Sequence, residues 1–433
     1  MTSVETCKSQ MELFTQLGAL VERRWRDQNY NEDLFPGIAA QALSELNLSD
    51  RVDPWEIVRW AQTTPDLPEQ MDIESNFGDP PLTVYVGPRF YIDVYFWLDG
   101  TTSIHQHAFS GAFQVLLGSS VHSRYRFERD QEINAHFLTG KISLNDVSLL
   151  GRGDIREINA GPQFIHSLFH LERPSATITI RNYKTPSAAV QFSYLKPFLA
   201  FNPFFTDTFL KRRLQTVELL LKMKHPEADQ FIGDLVDSSD FQTAYLVLKR
   251  AFQFLCHREL EEMLGLSRST DRFQALLDRA RFKHGELADL LLPVYEEEWR
   301  QDEIVKRRAT IKREDHRFFL ALLLNVPERT NVLRLVKEKF PDQDAIELIV
   351  SWIRELVATK TFGSHESNVL GIGEFDDGHL FVLKGLLEGL TEEEIKGRAA
   401  AEPFVAAKSN PPIEDLASHI KALPLFKTIF AAQ

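Results

Sequence analysis

The chain has few cysteines, no excess of basic residues and no long apolar run, and each absence excludes a class of protein. Its two cysteines, Cys7 and Cys256, cannot build a disulfide framework, so we expect a reducing, cytoplasmic setting. The net charge of -13 disfavours nucleic acid and anionic membranes as partners, because both attract basic surfaces. No apolar stretch approaches the ~20 residues that span a bilayer. A small-molecule substrate is the expected partner, and a protein partner or a homodimer stays open.

The spacing of apolar residues divides the chain into three regions. Residues 1–78 have helical spacing, as in "MELFTQLGALVERRW", and predict an N-terminal helical segment. Residues 79–195 contain short β-branched or aromatic runs separated by Gly, Pro, Asn or Asp, which is typical of a small β barrel or sandwich. Residues 196–433 return to helical periodicity and predict a large all-α C-terminal domain. Together the three regions predict an α+β fold.

Histidine is concentrated in the strand-rich region, where six of the 13 histidines lie between His105 and His170. His105 and His107, in "SIHQHAFSGAFQVLLG", are two residues apart, so both face the same side of an extended segment. His166 and His170, in "QFIHSLFH", also share a face if that segment is a strand. Such imidazoles can face a core, a surface or a metal ion. Iron, zinc, nickel and copper all accept neutral imidazole, so the ligand type does not select the metal.

The order of these motifs resembles the cupin superfamily, whose double-stranded β-helix barrels carry two histidine motifs. "GTTSIHQHAFSGAFQVLLG", from Gly100 to Gly118, resembles the first motif. "GDIREINAGPQFIHSLFH" resembles the second, with His166 at its ligand position and His170 where the family has asparagine. The resemblance is confined to the strand-rich region. It implies a central cupin barrel between the two helical regions.

The chain departs from the cupin pattern at the family's glutamate ligand. Depending on the spacing counted, that position is Gly111 or Ala112, and neither can bind a metal. The resemblance therefore implies a centre of histidines without a carboxylate. The implied ligands are His105, His107 and His166, with His170 as the alternative third ligand.

Among cupins, this arrangement looks most like the thiol dioxygenases of the cysteine dioxygenase type. Those enzymes have "IHDH" where this chain has "IHQH", and a later Ser-x-His-x-Tyr pattern followed by proline. Here "TIRNYKTP" aligns Thr179, Arg181, Tyr183 and Pro186 with that pattern, and Arg181 replaces the histidine. The resemblance implies Tyr183 as a catalytic residue. Arg181, or Arg89 upstream, is the implied binder of a substrate carboxylate, because guanidinium binds carboxylates bidentately.

The resemblance implies a mononuclear non-heme Fe(II) dioxygenase, with Zn, Ni or Cu as other metals, acting on a small thiol- and carboxylate-bearing substrate. Two alternatives stay open. The size of the helical domain also suits a non-catalytic cupin that binds a metal or ligand and signals or scaffolds through its helices. A lyase or isomerase with Zn or Ni would use the same ligands. Outside the motifs, we expect His122 and His136 at the surface or at a strand edge.

Overall fold

The architecture is that of a computed structural model, which describes residues 3–73, 77–98, 103–185, 190–256, 268–359, 368–373, 375–401 and 412–430. Gly100 and Pro186 of the sequence motifs lie outside these residues. The predicted α+β class is confirmed, because strands form a barrel and a sheet between two helical regions. No helix within the described ranges is long and apolar enough to cross a membrane.

The N-terminal helices are α1 (Ser3–Asp27), α2 (Phe35–Leu46), α3 (Leu48–Arg51) and α4 (Pro54–Thr63). α4 begins with Pro54 in its first turn, and the Asp53 side chain caps it by accepting a hydrogen bond from the Trp55 amide. The apolar sides of α1 and α2 pack in one core with a β-sheet. These helices therefore cover one face of that sheet.

The strands are β1 (Pro81–Val86), β2 (Phe90–Trp97), β3 (Ile104–His105), β4 (Gly111–Leu117), β5 (Ser120–Asn134), β6 (Phe137–Leu150), β7 (Ile155–Ile158), β8 (Ile165–His170), β9 (Ser175–Asn182), β10 (Ser193–Leu195) and β11 (Leu199–Phe201). Five of them form a sheet in the order β1-β2-β9-β4-β7, and the other six close into a barrel in the order β10-β11-β6-β5-β8-β3. β11 lies beyond residue 195, the predicted domain boundary, and pairs with β6.

The two faces of the five-stranded sheet have different neighbours. On β2, Ile92, Val94 and Phe96 pack with the N-terminal helices. Trp97 of β2 and Arg181 of β9 lie on the other face and line a cavity. This division follows the two-residue alternation of side chains along a strand. It explains why β2 is buried along its whole length.

The C-terminal helices are α5 (Thr208–Lys222), α6 (Ala228–Ser238), α7 (Phe241–Leu255), α8 (Arg268–His284), α9 (Leu291–Thr310), α10 (Glu314–Asn325), α11 (Arg329–Lys339), α12 (Ala345–Ala358), α13 (Asp377–Glu388), α14 (Glu392–Ala401) and α15 (Ile413–Ala422). They pack in two apolar cores, and each core includes barrel residues, such as Phe137 in one and Phe169 in the other. Buried Arg308 of α9 donates to the Leu171 carbonyl at 3.3 Å. The helical region is therefore packed directly on the barrel.

Candidate metal centre

Strand pairing brings the predicted ligands together. β3 and β8 are antiparallel neighbours, and His105 is the register partner of His166. His107 follows β3, and its carbonyl accepts a hydrogen bond from the Gly161 amide at 2.8 Å. Gly161 has a positive φ of 79°, which glycine adopts without strain. The turn before β8 thus fixes the backbone of the second histidine beside the first and third.

The three imidazoles form a compact, buried group. One ring nitrogen from each of His105, His107 and His166 lies within 4.8 Å of the other two. The Nε2 atoms of His107 and His166 are 2.9 Å apart. With metal–nitrogen bonds of about 2.0–2.1 Å, two ligands at right angles stand about 3 Å apart. The His107–His166 separation therefore fits two neighbouring ligands on one ion as well as it fits a hydrogen bond between the two rings.

His105 has a defined tautomer. Its Nδ1 is 2.7 Å from the Ser103 carbonyl oxygen, which can only accept a hydrogen bond, so Nδ1 carries the proton. Nε2 then holds a lone pair. That atom is buried and has no hydrogen-bond partner among the described residues. Buried polar atoms are almost always satisfied, so an unsatisfied imidazole nitrogen within a group of ligands fits a metal ion.

The three histidines are in the protonation state that binds metals. Burial lowers the pKa of His105 and holds those of His107 and His166 well below the ordinary histidine value. The charges of neighbouring histidines lower the pKa values of His107 and His166 further. The imidazoles are therefore neutral at pH 7, with lone pairs available for a cation.

The two positions that match the cupin glutamate cannot supply a carboxylate here. A Cβ atom at Gly111 would lie 1.9 Å from the Ile180 carbonyl oxygen of β9, so a side chain does not fit without moving that strand. Ala112 is packed in the core with the N-terminal helices, on the face away from the cavity. The close approach of β4 to β9 accounts for the glycine.

A cavity of about 660 Å³ opens onto the three histidines. Pockets of about 300–1,000 Å³ are typical of small-molecule sites. Its walls combine aromatic side chains with polar ones, which include two hydroxyl groups contributed by β9. The lining includes Phe77, Trp97, Phe109, Phe113, Thr177 and Thr179. The site can therefore enclose an organic ligand beside a bound ion.

Arg181 contributes a positive charge to the same cavity. Its side chain is 16% exposed, and Nη1 lies 3.2 Å from an Asp72 carboxylate oxygen and 3.5 Å from the Tyr95 hydroxyl. The guanidinium carbon stands 3.8 Å above the ring centre of Phe109, and that centre is 4.5 Å from the centre of the His107 ring. A ligand a few bonds long can thus contact both the arginine and the histidines.

Two predicted site residues do not line the cavity. Tyr183 is 42% exposed, and its hydroxyl donates to the Gly87 carbonyl at 2.9 Å. Arg89 is exposed, and its guanidinium lies 4.2 Å from the ring centre of Tyr30 in the N-terminal segment. The structure brings Arg181 to the histidines, but not Tyr183 or Arg89.

His170, the alternative ligand, is not one of the three grouped histidines. Its ring stacks on Trp97, with centres 4.5 Å apart and planes 11° apart. Its Nδ1 is 2.7 Å from the Ser175 hydroxyl. His170 therefore supports the tryptophan wall of the cavity.

His122, which the sequence motifs do not include, is buried beside the site and is 1% exposed. The expectation that it lies at the surface or a strand edge is wrong, because β5 is paired on both sides, with β6 and β8. The His122 Nε2 is 3.1 Å from the Nδ1 of His166. Burial, together with the charges of Arg156 and Arg124, lowers the pKa of His122 to about 3, so the ring is neutral. This contact depends on long-range strand pairing, which no local spacing reveals.

No family model matches the chain, and no curated protein matches it. Among solved structures it is similar to a cupin-2 domain protein from Shewanella frigidimarina, at 15% identity over 25% of this chain and 83% of that chain, with a TM-score of 0.17. It is also similar to hydroquinone 1,2-dioxygenase from a Sphingomonas species, at 13% identity over 25% and 68% of the two chains, with a TM-score of 0.20. A DMSP lyase from Ruegeria pomeroyi shares 13% identity over 31% and 74%, with a TM-score of 0.19. These likenesses cover a minor part of the chain and assign no reaction to it.

Proposed function

We propose that the protein is a mononuclear non-heme iron dioxygenase that oxidises a small substrate carrying a thiol and a carboxylate. The observation that carries the proposal is the buried lone pair of His105 Nε2, which has no partner in the described chain and belongs to the group with His107 and His166. Three neutral ligands leave up to three positions open on an octahedral ion. The histidine group includes no carboxylate, and because three histidines also hold catalytic zinc, O2 consumption is what separates the oxygenase from the redox-neutral alternatives.

A ferrous ion in this centre would favour the thiolate form of the substrate and promote its reaction with O2, and the substrate sulfur would supply the electrons that reduce O2. The protein's own contribution begins with the neutral imidazoles, which are buried and held by β3, β8 and the turn at Gly161. The aromatic side chains of the cavity offer apolar surface to a substrate beside them. The net reaction adds both oxygen atoms of O2 to the substrate sulfur, so a thiol becomes a sulfinic acid.

Arg181 is the proposed binder of the substrate carboxylate. Its Nε is buried and without a hydrogen-bond partner among the residues described, so part of the guanidinium remains available as a donor. Guanidinium binds carboxylates through two parallel N–H donors. The Asp72 side chain at Nη1 is 47% exposed, which makes it a weakly held counter-ion. An incoming carboxylate can bind beside Asp72 or replace it.

The experiment loads the full chain with Fe(II) under anaerobic conditions, then adds O2 and mercaptoacetate, mercaptopropionate or cysteine. We expect O2 uptake that matches thiol consumption, with a sulfinate as product, and no uptake by His166→Ala loaded in the same way. Wild-type protein that takes up no iron, zinc or nickel would refute the metal centre. Iron-loaded protein that consumes no O2 with any of these thiols would refute the thiol dioxygenase activity alone.

The second candidate is a non-catalytic cupin that reports metal or ligand binding to its helical region. β8 carries His166 on the cavity side, and Phe169 of the same strand packs with the C-terminal helices. Arg308 of α9 stands 4.5 Å over the Phe169 ring. The strand β8 therefore connects the histidine group directly to the C-terminal helices, and a shift of His166 on metal binding can displace Phe169. Metal binding without O2 consumption, accompanied by altered hydrogen exchange in α9, would favour this candidate.

A further inference from the structure

His122 contacts a metal-ligating histidine without being one of the grouped ligands. Its Nε2 lies 3.1 Å from the Nδ1 of His166. The group that could hold a metal ion consists of His105, His107 and His166. The ring is buried on β5, with its centre 6.1 Å from that of Phe113 and 6.0 Å from that of Phe164. The distance to His166 is that of a hydrogen bond.

The hydrogen-bonding capacity of His166 limits what His122 can do. Both ring nitrogens of His166 face another histidine, with Nε2 at 2.9 Å from His107 and Nδ1 at 3.1 Å from His122. A neutral imidazole carries one N–H, and a nitrogen that binds a metal carries none. If His166 binds the ion through Nε2, its proton is on Nδ1. That proton is then donated to the lone pair of His122 Nε2.

His105 also donates its Nδ1–H to an acceptor, but that acceptor is a backbone carbonyl. Its Nδ1–H donates to the Ser103 carbonyl, which leaves Nε2 for the ion. Metal-binding histidines commonly donate their second N–H to an acceptor that fixes the ring and its tautomer. Ser103 provides that acceptor from the backbone, whereas His122 would provide it from a side chain. Only the second can be removed by substitution.

We propose that His122 is a positioning residue of the metal centre, which accepts the Nδ1–H of His166 and so presents the Nε2 of His166 to the ion. The inference rests on the proposed function only in requiring that the three histidines hold a metal. It does not depend on the thiol substrate or on O2. A purely space-filling role would give a different result, because an apolar side chain of similar size would then replace His122 without loss of metal affinity.

The test compares His122→Leu, which removes the acceptor, with His122→Gln, whose amide oxygen can accept near the position of Nε2. His136→Leu is the matched control, because His136 lies in the turn between β5 and β6 and stacks on Phe205. Affinity for Zn²⁺ is measured by competition with a chelating dye. The His166 tautomer is read from the 15N shifts of labelled histidine in the Zn-loaded and metal-free proteins. Circular dichroism and the thermal midpoint of the metal-free proteins check the fold.

We expect His122→Leu to lower the Zn²⁺ affinity about 10–100-fold, as for other partners of metal-binding histidines. His122→Gln should restore most of that loss, and His136→Leu should bind as the wild type does. In the metal-free protein, the wild-type His166 should carry its proton on Nδ1, and His122→Leu should shift that proton toward a mixture of Nδ1 and Nε2. Folded His122→Leu with wild-type affinity, His122→Gln as weak as His122→Leu, or a wild-type His166 protonated on Nε2 would each overturn the proposal. Wild-type protein that binds no metal would overturn the proposed function and this inference together.

Discussion

Two histidine clusters in this chain have different surroundings. The barrel cluster consists of His105, His107 and His166, and the helical cluster consists of His379 and His419. In the helical cluster, the Asp376 side chain accepts the His379 amide at 3.0 Å, and His379 Nδ1 is 3.3 Å from the Asp376 amide. These bonds are the capping box of α13.

The difference lies in what satisfies the ring nitrogens. His379 Nδ1 bonds to the helix cap, and its Nε2 is 3.4 Å from His419 Nδ1. His105 Nε2 in the barrel has no such partner among the described residues. A capping residue accounts for the helical cluster without any ligand. The barrel cluster has no comparable structural explanation, and its unsatisfied lone pair fits a metal ion, whereas proximity of histidines alone does not identify a metal site.

The largest expected effect is the loss of metal from one cluster only. His166→Ala should lower metal affinity more than about 100-fold, beyond the effect of removing a residue that only orients a ligand. His379→Ala should leave the affinity unchanged and lower the free energy of unfolding by about 0.5–1.5 kcal/mol, because it removes the hydrogen bond from the Asp376 amide to the His379 ring. Metal content after dialysis, measured beside urea unfolding, checks both. Metal retained by His166→Ala and lost by His379→Ala would reverse the assignment of the two clusters.

Metal addition provides a second contrast between the clusters. An ion at 100 times its dissociation constant stabilises the folded state by about 2.7 kcal/mol. We therefore expect Zn²⁺ to raise the thermal midpoint of the wild type and of His379→Ala by several degrees, and to leave His166→Ala unchanged. Thermal scans at a series of Zn²⁺ concentrations measure this. An equal rise in His166→Ala would locate the bound ion away from the barrel cluster.

Much of the barrel cluster could be predicted from the sequence, because its signals are local. The spacing of His105 and His107 follows from strand alternation, and the position of His166 follows from the order of the motifs. The pairing of His122 with His166 could not be predicted, since it depends on which distant strand lies beside β8. Motif alignment predicts Tyr183 in the site, but the strand does not carry it there. β9 ends at Asn182, so the alternation that directs Arg181 into the cavity does not extend to Tyr183.

The two arginines named by the resemblance, Arg181 and Arg89, also differ. Arg181 lines the cavity and has a buried Nε without a hydrogen-bond partner among the described residues, whereas Arg89 does not line the cavity. Arg181→Gln should weaken binding of mercaptoacetate to the metal-loaded protein about 10–100-fold, because hydrogen bonds to charged groups contribute about 1.5–3 kcal/mol. Binding of mercaptoethanol, which lacks the carboxylate, should change little. Arg89→Gln is the control, because Arg89 is exposed over Tyr30. Calorimetric titration measures each pair, and equal losses for both thiols would exclude carboxylate recognition by Arg181.

The smallest expected effect concerns Tyr183, to which the resemblance assigns a catalytic role. Its hydroxyl donates to the Gly87 carbonyl and the residue is 42% exposed outside the cavity lining, so removing the hydroxyl leaves the cavity wall intact. We expect Tyr183→Phe to change the free energy of unfolding by no more than about 0.5 kcal/mol, as is usual at exposed positions. Its kcat for the thiol substrate should stay close to that of the wild type.

Tyr95→Phe is the informative partner, because the Tyr95 hydroxyl contacts both Asp93 and Arg181 beside the cavity. If Tyr183→Phe instead abolished turnover while Tyr95→Phe did not, the hydroxyl of Tyr183 would have to enter the cavity during the reaction, and the segment after β9 would be part of the catalytic machinery.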